Sequence, residues 1–176
     1  MRWFLYNVLF AIGYTLMLPK FFLRMRKRGG YRADFGQRLG RFAPEVAARL
    51  AEKPRVWLHA VSVGEANLAG AVLRELRRVA PGESFIISTT SSTGHAVCEK
   101  LAGPDDVLIY LPVDFPHIVR RALKGIDAKA LVLTESEFWP NLIRACHRRD
   151  IPVILVNGRV SDRSAPRYRR LRCFFA

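Results

Sequence analysis

Two different apolar patterns divide this chain. Residues Trp3 to Leu18 are almost unbrokenly apolar, with Asn7 and Thr15 as mild exceptions, and Phe21, Phe22 and Leu23 prolong the stretch past Pro19 and Lys20. A full bilayer crossing takes roughly 20 apolar residues. The segment therefore reads as an N-terminal anchor helix, spanning or shallow, with a buried core helix as the alternative. From Arg55 onward the pattern changes to short apolar runs separated by stretches with apolar residues at every third or fourth position, which are strand and helix signals respectively. Strands are predicted over Arg55–Val61, Ser84–Ser88, Val107–Tyr110, Ala130–Thr134 and Val153–Asn157. Helices are predicted over Ala66–Val79, Gly94–Leu101, Phe115–Leu123 and Pro140–Arg148, with a last, very basic one over Arg163–Arg172. Residues 29–54, rich in charge and holding Gly29, Gly30 and Gly36, form a connector with one short helix, Pro44–Ala51.

Strands alternating with helices of this length are βαβ units, and right-handed crossovers close them into a parallel sheet with helices on both faces. The expected organisation is an anchor with its basic flank over 1–28, the connector over 29–54, and an α/β domain over 55–176. Ligands of such sheets bind at the carboxyl ends of the strands. The residues that follow each strand are therefore where chemistry is expected.

Charge narrows the choice of partner. Lys and Arg outnumber Asp and Glu by 29 to 15, and the excess gathers in two blocks, Lys20 to Arg41 and Arg144 to Arg172. A formal charge of +14 points to nucleic acid, an anionic membrane surface or a phosphorylated substrate. The first block directly follows the apolar stretch, the reverse of the order in a secretory signal peptide, and no Ala-x-Ala site follows Leu18. The positive-inside rule then keeps everything after Lys20 on the cytoplasmic side. No nucleic-acid recognition motif is present, and aromatic residues do not alternate with basic ones as a stacking platform requires, so nucleic acid is set aside as a partner. Cys98, Cys146 and Cys173 stand far apart and no Cys/His spacing suggests a metal, which reads as reduced thiols.

The first strand is followed by His59-Ala60-Val61-Ser62-Val63-Gly64-Glu65. His59 closes the apolar run as a candidate site-lining residue, and Gly64 permits a tight turn and close backbone approach. Glu65 has two readings: a first-turn carboxylate stabilised by the helix dipole, or a general base that takes a proton from a sugar hydroxyl. Ser88 to Gly94 is a hydroxyl-rich loop that caps the next helix or binds phosphate and sugar hydroxyls; it lacks the P-loop spacing. Asp114 is positioned as an N-cap of the helix that Pro116 opens. Glu135 and Glu137 follow the fourth strand, either as salt-bridge partners of arginine or sharing a crevice with Glu65, one carboxylate as base and another tuning it. Asn157 and Gly158 suit a turn, after which Arg159 meets phosphate or balances the nearby acids.

The motifs HAVSVGE, STTSSTG, LPVDFP, TESEFWPNLI and IPVILVNGRVSDRS, in this order behind YRADFGQRLG and an apolar N-terminal segment, resemble the N-terminal half of the 3-deoxy-D-manno-octulosonic acid (Kdo) transferases of Gram-negative bacteria. The resemblance implies a GT-B glycosyltransferase, with two Rossmann-like domains across a cleft. The N-terminal domain receives a lipid A precursor and the C-terminal domain binds the donor, CMP-Kdo. It implies that Glu65 is the general base and Glu135 the transition-state stabiliser, with Glu137 as the fallback. Substrate contacts are expected from Ser62, Gly64, Thr89, Thr90 and Arg159. It further implies an inverting transfer without cofactor or metal, on an anionic membrane surface at the cytoplasmic face of the bacterial inner membrane. Family chains are about twice this length. The chain is therefore expected to be an acceptor-side part without its donor domain, catalytically incomplete by itself; the alternative function is lipid or membrane binding without catalysis.

Overall fold

The computed structural model describes residues 2–28, 34–135 and 138–158. Strands β1 (Arg55–His59), β2 (Phe85–Thr89), β3 (Val107–Tyr110), β4 (Ala128–Thr134) and β5 (Val153–Val156) form a sheet in the order β3-β2-β1-β4-β5, every pair parallel. The helices are α1 (Arg2–Arg28), α2 (Phe35–Arg38), α3 (Pro44–Ala51), α4 (Val63–Val79), α5 (Ser92–Glu99), α6 (Pro116–Gly125) and α7 (Pro140–His147). The expected α/β architecture is what forms. The predicted helix over Arg163–Arg172 lies outside the described residues.

Side chains alternate across a strand, and the alternation builds a core on each face of the sheet. Trp57, Ile86, Leu131 and Leu133 face Leu50 of α3, Val119 and Leu123 of α6 and Leu142 of α7. Leu58, Phe85, Ile87 and Val132 face Ala66, Ala69 and Leu73 of α4 and Cys98 of α5. Strands buried on both sides explain the near-continuous apolar runs in the sequence. Cys98 and Cys146 are buried free thiols, and burial pushes both up to about 11, so they serve as small apolar core residues. Gly40 closes the turn after α2 with a φ of +69°, which lets that turn press against the backbone of α6.

Helix α1 runs unbroken through Pro19, and Trp3–Leu23 is long and apolar enough to cross a membrane, with a mean hydropathy of 1.3. It is not featureless, however. Tyr6, Asn7, Phe10 and Tyr14 recur at helical spacing and lie on the domain. The Tyr6 hydroxyl donates to Asp114 (2.8 Å), and the Asn141 amide donates to Asn7 (2.8 Å). Phe10 and Tyr14 meet the Phe115 ring edge-on at 5.1 and 5.5 Å. Farther along, Phe22 contacts Phe35. The opposite face, including Phe4, Leu5, Leu9, Ile12 and Leu16, is exposed.

Candidate functional site

The carboxyl ends of β2, β1 and β4 open toward one edge of the sheet, and the loops that follow them carry most of the expected site. Ser62 caps α4, its hydroxyl oxygen accepting from the Glu65 N–H at 3.3 Å. The Glu65 carboxylate reaches back, accepting from the Val61 N–H at 2.7 Å and the Ser62 hydroxyl at 3.0 Å. This is a variant of the capping box, with the carboxylate taking the N–H of the residue before the cap, and it starts α4 three residues earlier than the apolar period predicts. Glu65 is thus a first-turn residue whose carboxylate is fixed in direction. Each of its oxygens still has a lone pair to offer, because a carboxylate accepts about four hydrogen bonds. Gly64 lies inside the first turn of α4 without a positive φ, so the tight turn it was expected to permit is not what it supplies. The nearest atom to a Cβ added there is the Ser62 Oγ at 3.9 Å, so its missing side chain leaves open space beside Glu65.

The hydroxyl-rich loop is both a cap and a clasp. Ser91 caps α5, accepting from the Gly94 N–H at 3.1 Å. Ser91 and Thr90 donate to the Val61 carbonyl at 3.2 and 3.3 Å, and Thr89 donates to the Ser91 carbonyl at 3.2 Å. The loops after β1 and β2 are therefore tied together, and Thr89 and Thr90 spend their hydroxyl protons within the protein. Glu135 follows β4, the strand beside β1, and holds a φ of 60° while its N–H donates to the Val156 carbonyl at 2.8 Å. A left-handed glutamate costs about 1–3 kcal/mol, a strain that clusters at functional sites. Glu137 and Arg159 lie outside the described residues.

Asp114 departs from expectation. The cap of α6 is Phe115, with no side-chain hydrogen bond, and Asp114 instead accepts from the Asn141 and Leu142 N–H groups at 3.0 and 2.8 Å, capping α7 from a distant loop. It also receives the Tyr6 hydroxyl, so one carboxylate joins α1 to α7. Burial raises it to about 6, against the lowering effect of its hydrogen bonds.

His59 is buried beneath the strand ends, 3.0 Å from the Ser88 carbonyl and 2.9 Å from its hydroxyl through Nδ1. A carbonyl only accepts, so the ring proton sits on Nδ1. Burial lowers His59 to about 4, which keeps it neutral. Its Nε2 and the Nε1 of Trp139, whose rings lie edge-to-face at 5.9 Å, are buried with no hydrogen-bond partner among the described residues. A cavity of about 370 Å³ lies between α1 and the strand ends, with Phe10, Tyr14, Arg38, Thr90, Ser91 and Trp139 in its wall. Arg38 stands out here: it is buried, lies 4.2 Å over the Tyr110 ring and donates to the Thr90 carbonyl at 2.7 Å. Nothing in the connector's sequence singled it out from its basic neighbours.

A Rossmann-like parallel sheet whose polar loops gather at the carboxyl edge defines an α/β domain built to take its ligand there. Residues 33–176 match the family model described as 3-deoxy-D-manno-octulosonic-acid transferase (kdotransferase), and the chain belongs to that family. Among its relatives, the 3-deoxy-D-manno-octulosonic acid transferase of Haemophilus influenzae is 31% identical over 169 residues, which cover 96% of this chain and 39% of that protein. The enzyme of the same name from Bordetella pertussis is 35% identical over 147 residues, 80% of this chain and 33% of its own length. A bifunctional glycosyltransferase/methyltransferase of Fusobacterium nucleatum is 32% identical over 170 residues, 96% of this chain and 25% of that protein. The chain thus spans between a quarter and two fifths of these relatives.

Proposed function

We propose that this chain is the acceptor-side part of an inverting glycosyltransferase that moves Kdo from CMP-Kdo to a hydroxyl of a lipid A precursor. In this reading Glu65 takes the proton of the acceptor hydroxyl as its oxygen bonds to the anomeric carbon of Kdo. The bond from that carbon to the phosphate of CMP breaks, and CMP leaves with the electron pair. Attack opposite the leaving group inverts the centre. Glu135 supplies negative charge against the positive charge that develops on the sugar ring. Ser62 aims Glu65, and the open space at Gly64 admits the hydroxyl. Thr90, through its hydroxyl oxygen, and Arg159 are proposed acceptor contacts, with the buried Thr89 holding the loop that presents Thr90, and the donor is held by a second Rossmann-like domain of the whole enzyme. No metal or cofactor enters this scheme.

What supports the reading most is that Glu65 follows β1 and Glu135 follows β4, neighbours in the sheet, in a chain of the Kdo transferase family. The exposed face of α1 supports membrane association. Contacts that run from Tyr6 to Phe22 favour a helix lying in the interface over one crossing the bilayer, because a helix docked along its length cannot also be surrounded by lipid.

Glu65→Gln separates catalysis from capping. The amide keeps an acceptor for the Val61 N–H but cannot take a proton. In the complete enzyme, assayed with CMP-Kdo and a lipid A precursor, this variant should fold and lose about 100-fold to 10,000-fold in rate. Near-normal transfer would make Glu65 a capping residue only. The second reading, lipid binding without transfer, is favoured by the apolar outer face of α1; it would stand if the complete protein binds lipid A precursor yet transfers nothing.

A further inference from the structure

A second cavity, of about 330 Å³, lies between α6 and α7 beside the N-terminal part of α1, walled by Arg120, Arg144, Arg148 and Arg149 and by Asn7 and Asn141. It shares no lining residue with the cavity at the strand ends. None of its four guanidinium groups forms a salt bridge among the described residues. Two are held from behind: Arg144 stacks 4.5 Å over the Trp3 ring, and Arg149 donates to the Leu123 carbonyl. Like charges gathered around one cavity repel unless an anion neutralises them. The C-terminal dipole of α7 accounts for Arg148 and Arg149, but not for Arg120, which sits on α6. Guanidinium forks match phosphate oxygens two at a time. Asn7 brings α1 into the wall of this cavity, and the outward face of the same helix exposes Phe4, Leu5 and Val8, an apolar surface suited to acyl chains.

We propose that this arginine cavity is a phosphate-binding site separate from the transfer crevice, and that it takes the phosphomonoester head group of an anionic lipid. The site holds the α6–α7 face against the membrane and does not depend on the catalytic reading above. The test uses the full chain and three kinds of vesicle: phosphatidylcholine alone, phosphatidylcholine with phosphatidic acid, and phosphatidylcholine with phosphatidylglycerol at matched surface charge. The readout is the preference for phosphatidic acid over phosphatidylglycerol, because diffuse attraction cancels in that ratio. A preference of about fivefold or more is expected, since one positive charge near an anionic surface is worth about that factor.

The double variant Arg120→Gln/Arg148→Gln should abolish the preference, while Lys20→Gln/Arg26→Gln, which removes equal charge elsewhere on the chain, should keep it. Arg120 and Arg148 are both exposed, so folding is expected to survive. If the double variant does not fold, Arg148→Lys keeps the charge, removes the fork and should itself reduce the preference. Inorganic phosphate added to the phosphatidic acid vesicles distinguishes the sources: competition makes free phosphate the ligand of the same site, and no competition makes it the lipid. Equal affinity for the two lipids, or a preference that the arginine variants leave intact, overturns the proposal.

Discussion

Gly40 carries a sharper constraint than any charged residue near it. A side chain there would meet the Ile118 carbonyl at 2.7 Å and the Ala122 nitrogen at 3.0 Å, both backbone of α6, and its φ of +69° already disfavours any Cβ. Neither neighbour can move without unpacking the helix. Gly40→Ala is expected to destabilise the protein by about 2–4 kcal/mol, combining the left-handed penalty with overpacking, as read by denaturant unfolding. Asp114 gives a pH signature. Its folded value near 6 lies above the ordinary 3.8, so between those values the folded protein holds a proton that the unfolded chain has released. Its contribution to stability is therefore full below about pH 4 and lost as pH rises through 6. Thermal unfolding of the wild type compared with Asp114→Asn across this range should show the wild type losing ground as pH rises. A pH-independent difference would mean that the carboxyl titrates normally.

Among the elements, α1 and α4 show how local pattern and tertiary contact divide the work. The start of α4 follows from its own sequence, a Ser-x-x-Glu box whose two partners satisfy each other. The docking of α1 does not follow from its own sequence alone: the stripe that holds it is visible only once Asp114, Phe115 and Asn141 have been brought together beneath it. Tyr6→Phe removes one hydrogen bond and leaves the ring in place. It should cost about 0.5–1.5 kcal/mol and raise amide hydrogen exchange in α1 while β1 and β2 stay protected. Unchanged exchange in α1 would mean that the Asn7–Asn141 hydrogen bond and the aromatic contacts suffice to hold the helix.

For the molecule as a whole, the sheet order β3-β2-β1-β4-β5 makes the loops after β1, β2 and β4 neighbours, which gathers a carboxylate, a hydroxyl clasp and a strained glutamate at one edge. Helix α1 covers part of that edge and turns an apolar face outward. The strand-end cavity and the arginine cavity meet α1 at different residues: the first is walled by Phe10 and Tyr14, and the basic one by Asn7. The two experiments are independent for the same reason, since Glu65→Gln leaves the basic cavity untouched and the arginine variants leave the strand ends untouched.

The alternation of strands and helices is written into the order of residues, because strands buried on two faces must be apolar throughout and helices between them must be apolar at every third or fourth position. The sequence also carried the ordered motifs that mark the family, and the capping box, whose partners are three residues apart. Tertiary structure alone decided which helix Asp114 caps, since Asn141 lies 27 residues away. It also brought Arg38 of the connector to within reach of Thr90, 52 residues on, and paired Asn7 with Asn141 across 134. Periodicity reports only on neighbours within a turn or two of the chain, whereas a buried polar group takes whichever partner the packed fold delivers.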